Sequence, residues 1–230
     1  MKPLLFRPLF ESDSCTYTYL LADPETKEAV IIDAVLETQA RDVSLIKELG
    51  LKLQYIMETH IHADHITSAQ RLKEQFAGAQ IVLSAKACLP CADQPVKEGD
   101  VLSFGRFTIR VLETPGHTAG CISYCADGKV FTGDALLIRS CGRCDFQGGS
   151  AKVLYHSLQK LFSLPDDTVV CPAHDYNGLI FSSIGEEKML NKMAGGNTDE
   201  ATFIKRINEM KLSLPRKFHT ALSANQLCGA

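Results

Sequence analysis

The stretch "THIHADH", residues 59–65, sets three histidines and an aspartate in seven residues, directly after an apolar run holding Leu53, Tyr55, Ile56 and Met57. The apolar run reads as a strand. The segment after it must be a loop, because no regular element aims His60, His62, Asp64 and His65 in one direction. Imidazole and carboxylate together favour borderline transition metals such as zinc, iron or manganese. Outward from this stretch lie three more polar clusters, "TPGHTAG" (114–120), "FTGDALL" (131–137) and "CPAHDY" (171–176). Each also falls at the end of an apolar run, and loops at strand ends are where a rigid scaffold exposes functional groups. One histidine alone is more often a satisfied structural residue than a ligand. His60, His62, Asp64, His65, His117, Asp134 and His174, spread over four strand ends, are read instead as a metal site. His156 falls on the polar face of its helix and His219 in an irregular tail, so neither joins that set.

Short strands and helices alternate along the rest of the chain without repeats. "EAVIID" (28–33) reads as a buried strand and "ETQARDVSLIKELG" (37–50) as an amphipathic helix closed by glycine. "TSAQRLKEQFAG" (67–78) repeats that helical pattern, "QIVLS" (80–84) is a strand, and "DVLSFGRFTIRVLET" (100–114) is a hairpin turning at Gly105 and Arg106. "CISYC" (121–125) and "VFTGD" (130–134) form another strand pair. "SAKVLYHSLQKLFSL" (150–164) is a helix with Val153, Leu154, Leu158 and Leu161 as its core stripe, and "TVVCPAHD" (168–175) is a strand. The last fifty or so residues read as helical, then irregular. Hairpins among helices argue against a purely parallel sheet and for an α/β sandwich of two mixed sheets with helices outside.

The chain has 230 residues, 45% hydrophobic and 22% charged, with a formal net charge of −3. This is the composition of an ordinary globular protein, and the length suits a single domain over residues 1–230. No basic tract supports a nucleic-acid partner. No apolar run approaches the roughly 20 residues that span a bilayer, and the first residues read as strands rather than a signal peptide. A bacterial cytoplasmic protein or a processed organelle form fits best, and a homodimer stays open. The nine cysteines include two CxxC pairs, "CLPC" (88–91) and "CGRC" (141–144). The long gap between the pairs does not match a zinc ribbon, and without an export signal all nine are expected as ordinary reduced thiols.

The motif set THxHxDH, PGHT, TGD and AHD resembles the metallo-β-lactamase fold, an αββα sandwich with its metal site along one edge of two sheets. Within that superfamily, "TYTYLLAD" (16–23), "FTGDALLIRSCGRCDFQGGSAKVLYHS" (131–157) and "PAHDYNG" (172–178) are similar to the persulfide dioxygenases. The resemblance implies oxidation of glutathione persulfide by O₂ and water to sulfite and glutathione. It also implies one Fe(II) per chain, held by His60, His117 and Asp134. His62, Asp64, His65 and His174 would lie behind those ligands, at positions that bind metal in binuclear relatives. Two histidines and one carboxylate on one face of an octahedral ion are the arrangement of non-haem Fe(II) oxygenases.

Glutathione carries two carboxylates, so its pocket needs cations and polar anchors. Arg143, Arg139 and Tyr176, close in sequence to Asp134 and His174, are the candidates for substrate binding. Arg143 has a structural alternative, a pairing with Asp145 that holds its loop, and Arg139 an equal one as a surface or loop-bracing side chain. Cys141 and Cys144 are assigned no catalytic role. Two other functions remain open. One is a glyoxalase II-type thiolester hydrolase with two metals, for which the chain after His174 is short. The other is a non-catalytic sulfur carrier or thiol sensor.

Overall fold

A computed structural model describes residues 2–230. β1 (Leu5–Glu11) pairs antiparallel with β2 (Thr16–Ala22), every residue of which is buried. Strand side chains alternate between faces, so a strand buried on both must lie between two apolar layers. Tyr17, Tyr19 and Leu21 point into one core, while Leu20 and Ala22 point into another. β3 (Glu28–Ile32) repeats the division, with Val30 and Ile32 on the first side and Ala29 and Ile31 on the second.

The chain then crosses over through α1 (Gln39–Glu48) to β4 (Lys52–Met57), parallel to β3. An irregularity in register opposite Ala29 and Val30 lets Leu53 and Ile56, three residues apart, share the outer face. α2 (Ala69–Gln75), β5 (Gln80–Ser84) and β6 (Gln94–Val96) follow, completing a sheet in the order β1 to β6. The second sheet holds β7 (Val101–Phe104), β8 (Phe107–Glu113), β9 (Ile122–Ala126), β10 (Lys129–Gly133), β11 (Val169–Pro172) and the two-residue β12 (Ser182–Ser183). Only β10 and β11 are parallel there, joined through α3 (Ala151–Phe162).

The inner faces of the two sheets share one core, including Phe104, Ile109, Val111, Tyr124 and Phe131. α1 and α2 close the outer core of the first sheet. α3, α4 (Ile184–Leu190) and α5 (Glu200–Asn208) close that of the second. The expected αββα sandwich is therefore the observed architecture. Among the described residues no helix is long and apolar enough to cross a membrane.

Three local expectations differ from the structure. Val153 is 41% exposed, because Leu154, Leu158 and Leu161 already form the buried stripe of α3 and Val153 lies one residue off it. His219 sits in a short helix, α6 (Phe218–Asn225), rather than in irregular chain. Cys91 and Cys228 form a disulfide across a sequence separation of 137 residues, where reduced thiols were expected. The bridge was invisible from spacing because folding alone brings these cysteines together.

Candidate metal centre

The four polar clusters run across or just past the ends of β4, β8, β10 and β11, and they converge at one edge of the sandwich. Asp33 organises the first loop from the end of β3, where its backbone is left-handed (φ 52°). Its carboxylate accepts hydrogen bonds from the Thr59 backbone N–H (2.8 Å) and the Thr59 hydroxyl (2.9 Å). It also lies 3.2 Å from His62 Nε2. The Thr59 hydroxyl, having given its proton to Asp33, can only accept from His60 Nδ1, 2.9 Å away. His60 therefore carries its proton on Nδ1 and presents a bare Nε2. Asn225, at the end of α6, closes the loop from behind. Its amide donates to the carbonyls of His62 and His65, both at 2.8 Å, and its oxygen accepts from Thr67 N–H at 2.9 Å.

His117 is fixed by the same logic, since its Nδ1–H donates to the Arg143 carbonyl at 2.6 Å. Its free Nε2 faces Asp134 Oδ2 at 3.5 Å. Gly116 precedes it with φ 135°, and a Cβ there would meet the Leu154 backbone at 2.3 Å, so the loop can carry His117 this close to α3 only with glycine. Donor atoms of His60, His117 and Asp134 all lie within 4.8 Å of one another. Asp134 Oδ1 is buried without a hydrogen-bond partner, which leaves it free to meet a cation.

His62, Asp64 and His65 make a second group within the same distance. Asp64 lies 3.0 Å from His65 Nδ1 and 3.5 Å from His174 Nε2, and His174 is 3.6 Å from Asp134 Oδ1. Burial pushes the imidazoles of His60 and His65 below their usual range, which keeps them neutral and ready to ligate. His62 goes the other way. Burial alone would lower it, but the Asp33 and Glu58 carboxylates hold it well above the usual range. Burial likewise pushes the Cys144 thiol up to about 12 and raises Cys141 further, so both stay protonated and neither offers a thiolate at neutral pH.

A cavity of about 670 Å³ opens over these groups, with Asp64, His117, Asp134 and His174 among its lining residues. Tyr176 also lines it and stacks on His174, ring centroids 6.1 Å apart. Arg143 lines it as well, but its guanidinium is engaged by Asp145 at 2.6 and 2.5 Å and by the Ser213 carbonyl at 2.6 Å. Arg139 is not at the cavity. Its guanidinium pairs with Glu186 and Glu187 of α4 and donates to Ser182, which ties the loop after β10 to α4. The sequence reading missed Asp33, Glu58 and Asn225. A carboxylate terminating the apolar run "EAVII" was the visible signal for Asp33, but its partners lie 26 and 29 residues away.

The metallo-beta-lactamase superfamily profile matches residues 16–174. The mitochondrial persulfide dioxygenase ETHE1 of Mus musculus is 49% identical over 230 residues, covering 99% of this chain and 89% of the relative. The crystal structure of ETHE1 from Myxococcus xanthus superposes with a TM-score of 0.95 at 45% identity, over 98% of this chain and all of that one. The hydroxyacylglutathione hydrolase of Brucella ovis is 43% identical over 166 residues, which is 71% of this chain and 63% of the hydrolase. Full-length likeness thus runs to one group and partial likeness to the other: the chain belongs to the metallo-β-lactamase superfamily and, within it, to the persulfide dioxygenases.

Proposed function

We propose that this chain oxidises glutathione persulfide with O₂ and water to glutathione and sulfite, releasing two protons, at a single ferrous ion held by His60, His117 and Asp134. The observation that carries this reading is the donor set itself. Two imidazoles with Nδ1–H engaged and a carboxylate with an unpartnered buried oxygen lie within 4.8 Å of one another beside the cavity. Ferrous iron held by His60, His117 and Asp134 would supply a redox-active Lewis acid for the reaction of a persulfide sulfur with dioxygen.

The chain's own residues do the rest. Asp33, through Thr59, and the Arg143 carbonyl hold the two imidazoles in one tautomer and orientation, which removes the cost of arranging them during turnover. Met210, Leu212, Leu214 and Phe146 give the cavity apolar walls that limit water around the reacting sulfur. Residues 1–230 act as one domain in this reading, since the inner core joins both sheets.

A binuclear hydrolase draws support from the second group of donors, His62, Asp64 and His65. Against it, the hydroxyacylglutathione hydrolase matches 71% of this chain, where the persulfide dioxygenase matches 99%. Anaerobic purification followed by metal analysis and oxygen-electrode assays separates the two. The expected outcome is about one iron per chain, oxygen uptake only with the persulfide, and sulfite as product. Two zinc ions in the active form, with lactoylglutathione hydrolysed and no oxygen consumed, would replace this reading with the hydrolase.

A further inference from the structure

Three cationic side chains line the cavity over the metal centre: Arg143, Arg216 and Lys217. Two of them are already committed. Arg143 is bound bidentately by Asp145, and Lys217 pairs with Glu37. Among the described residues Arg216 has no carboxylate within ion-pair distance, and its side chain makes no hydrogen bond. An unpaired guanidinium on the wall of a cavity whose substrate carries carboxylates has an obvious complement, because its planar fork matches a carboxylate's two oxygens.

The backbone around Arg216 is held before any ligand arrives. Arg143 Nη1 donates to the Ser213 carbonyl at 2.6 Å, and the Lys217 to Glu37 pair ties the other side. Pro215, immediately before Arg216, fixes its own φ. Little backbone entropy remains to be lost when Arg216 engages a ligand, which is the condition for an effective anchor.

From this arrangement we infer that Arg216 is the specificity-determining residue that binds a carboxylate of the thiol-peptide substrate, and that Arg143 is a positioning residue for the segment carrying it. The inference rests on the proposed glutathione persulfide reading for the identity of the ligand. It gives the carboxylate contact to a residue other than the arginines nearest the metal ligands in sequence.

The test uses anaerobic iron-loaded protein and two readouts. In calorimetric titration with glutathione, Arg216→Gln should weaken binding about threefold to tenfold, below the full range for a charge-assisted hydrogen bond because Arg216 is exposed. Arg216→Lys should recover part of the loss, with iron content and melting temperature unchanged in both variants. In oxygen uptake, Arg216→Gln should raise KM for glutathione persulfide by about the same factor, with kcat within about twofold, since a remote carboxylate is held equally in ground and transition states. KM for cysteamine persulfide, which has no carboxylate, should not move. Unaltered glutathione binding by Arg216→Gln overturns the inference, as does an equal rise in KM for cysteamine persulfide. Arginine-dependent glutathione binding without persulfide-driven oxygen uptake would leave the anchor standing and remove the proposed reaction instead.

Discussion

Asp33 binds no ion in the proposed site, yet its two carboxylate oxygens meet the Thr59 amide, the Thr59 hydroxyl and His62 Nε2, all in the loop that carries three of the site's histidines. An amide in its place offers one accepting oxygen and no charge. Asp33→Asn replaces an accepting oxygen with a donating amide against the Thr59 hydroxyl and removes the charge beside His62, at about 1–3 kcal/mol. It also frees the Thr59 hydroxyl to donate elsewhere, and with it goes the restraint on the His60 tautomer. The expected outcome is a loss of iron affinity of about 10- to 100-fold, the usual cost of removing an outer partner of a ligating histidine. Competition with a chelator, monitored by metal analysis, measures it. Retention of iron equal to the parent chain would mean that the Thr59 contact does not orient His60. At this scale the candidate ligands were legible, since each stands in a short polar motif after an apolar run. Their supports were not, because Asp33 and Asn225 reach the loop from separate elements, while Glu58, four residues before His62, lies at the end of a segment read only as strand.

Among the elements, long strands and periodic helices were legible from their spacing, and short ones were not. β6 and β12 have three and two residues, too few to show an alternation. The segment between α5 and α6 has no regular structure, yet it supplies the cavity wall through Leu212, Leu214 and Arg216. Arg143 fastens that segment, donating to Ser213 while Asp145 holds the guanidinium and Phe146 stacks beneath it, 4.6 Å from the ring centroid. The two readings left open for Arg143 in the sequence therefore divide, with geometry supporting the Asp145 brace. Arg143→Gln is expected to raise KM for the persulfide about tenfold through a loosened wall, and to lower the melting temperature by a few degrees, as about 1–2 kcal/mol would in a chain of this size. Iron content should hold, because His117 is bonded to the Arg143 main-chain carbonyl and not to its side chain. Asp145→Asn should reproduce both changes. The pair separates from Arg216→Gln by the melting temperature: a raised KM with no thermal shift in Arg143→Gln would return Arg143 to direct contact with substrate.

For the whole molecule, two mixed sheets with helices outside were legible from β-hairpins interleaved with helices, and the αββα order from the resemblance of the motif set to the metallo-β-lactamase fold. The closure of the chain was not legible. Cys91 follows β5 on the outer side of the first sheet, and Cys228 belongs to the same outer core, three residues beyond the Asn225 that braces the metal loop. Their bridge restrains the unfolded chain across 137 residues, for which loop-closure entropy gives about 5 kcal/mol as an upper estimate. Its second effect is local. Freed from Cys91, the end of the chain would be held by α6 and by hydrogen bonds such as Gln70 N–H to the Cys228 carbonyl, so Asn225 would leave the loop more often. Reduction with dithiothreitol should therefore lower the melting temperature by about 5–10 °C, toward the lower part of the roughly 2–5 kcal/mol that loss of a native disulfide costs. It should also speed iron loss to a chelator. Cys91→Ser should show both effects without reductant and no further change with it, which separates this bridge from any reaction at the exposed Cys88. Equal melting temperatures and equal iron loss in oxidised and reduced protein would mean that α6 and Asn225 hold the metal loop unaided, and that the bridge adds nothing to either.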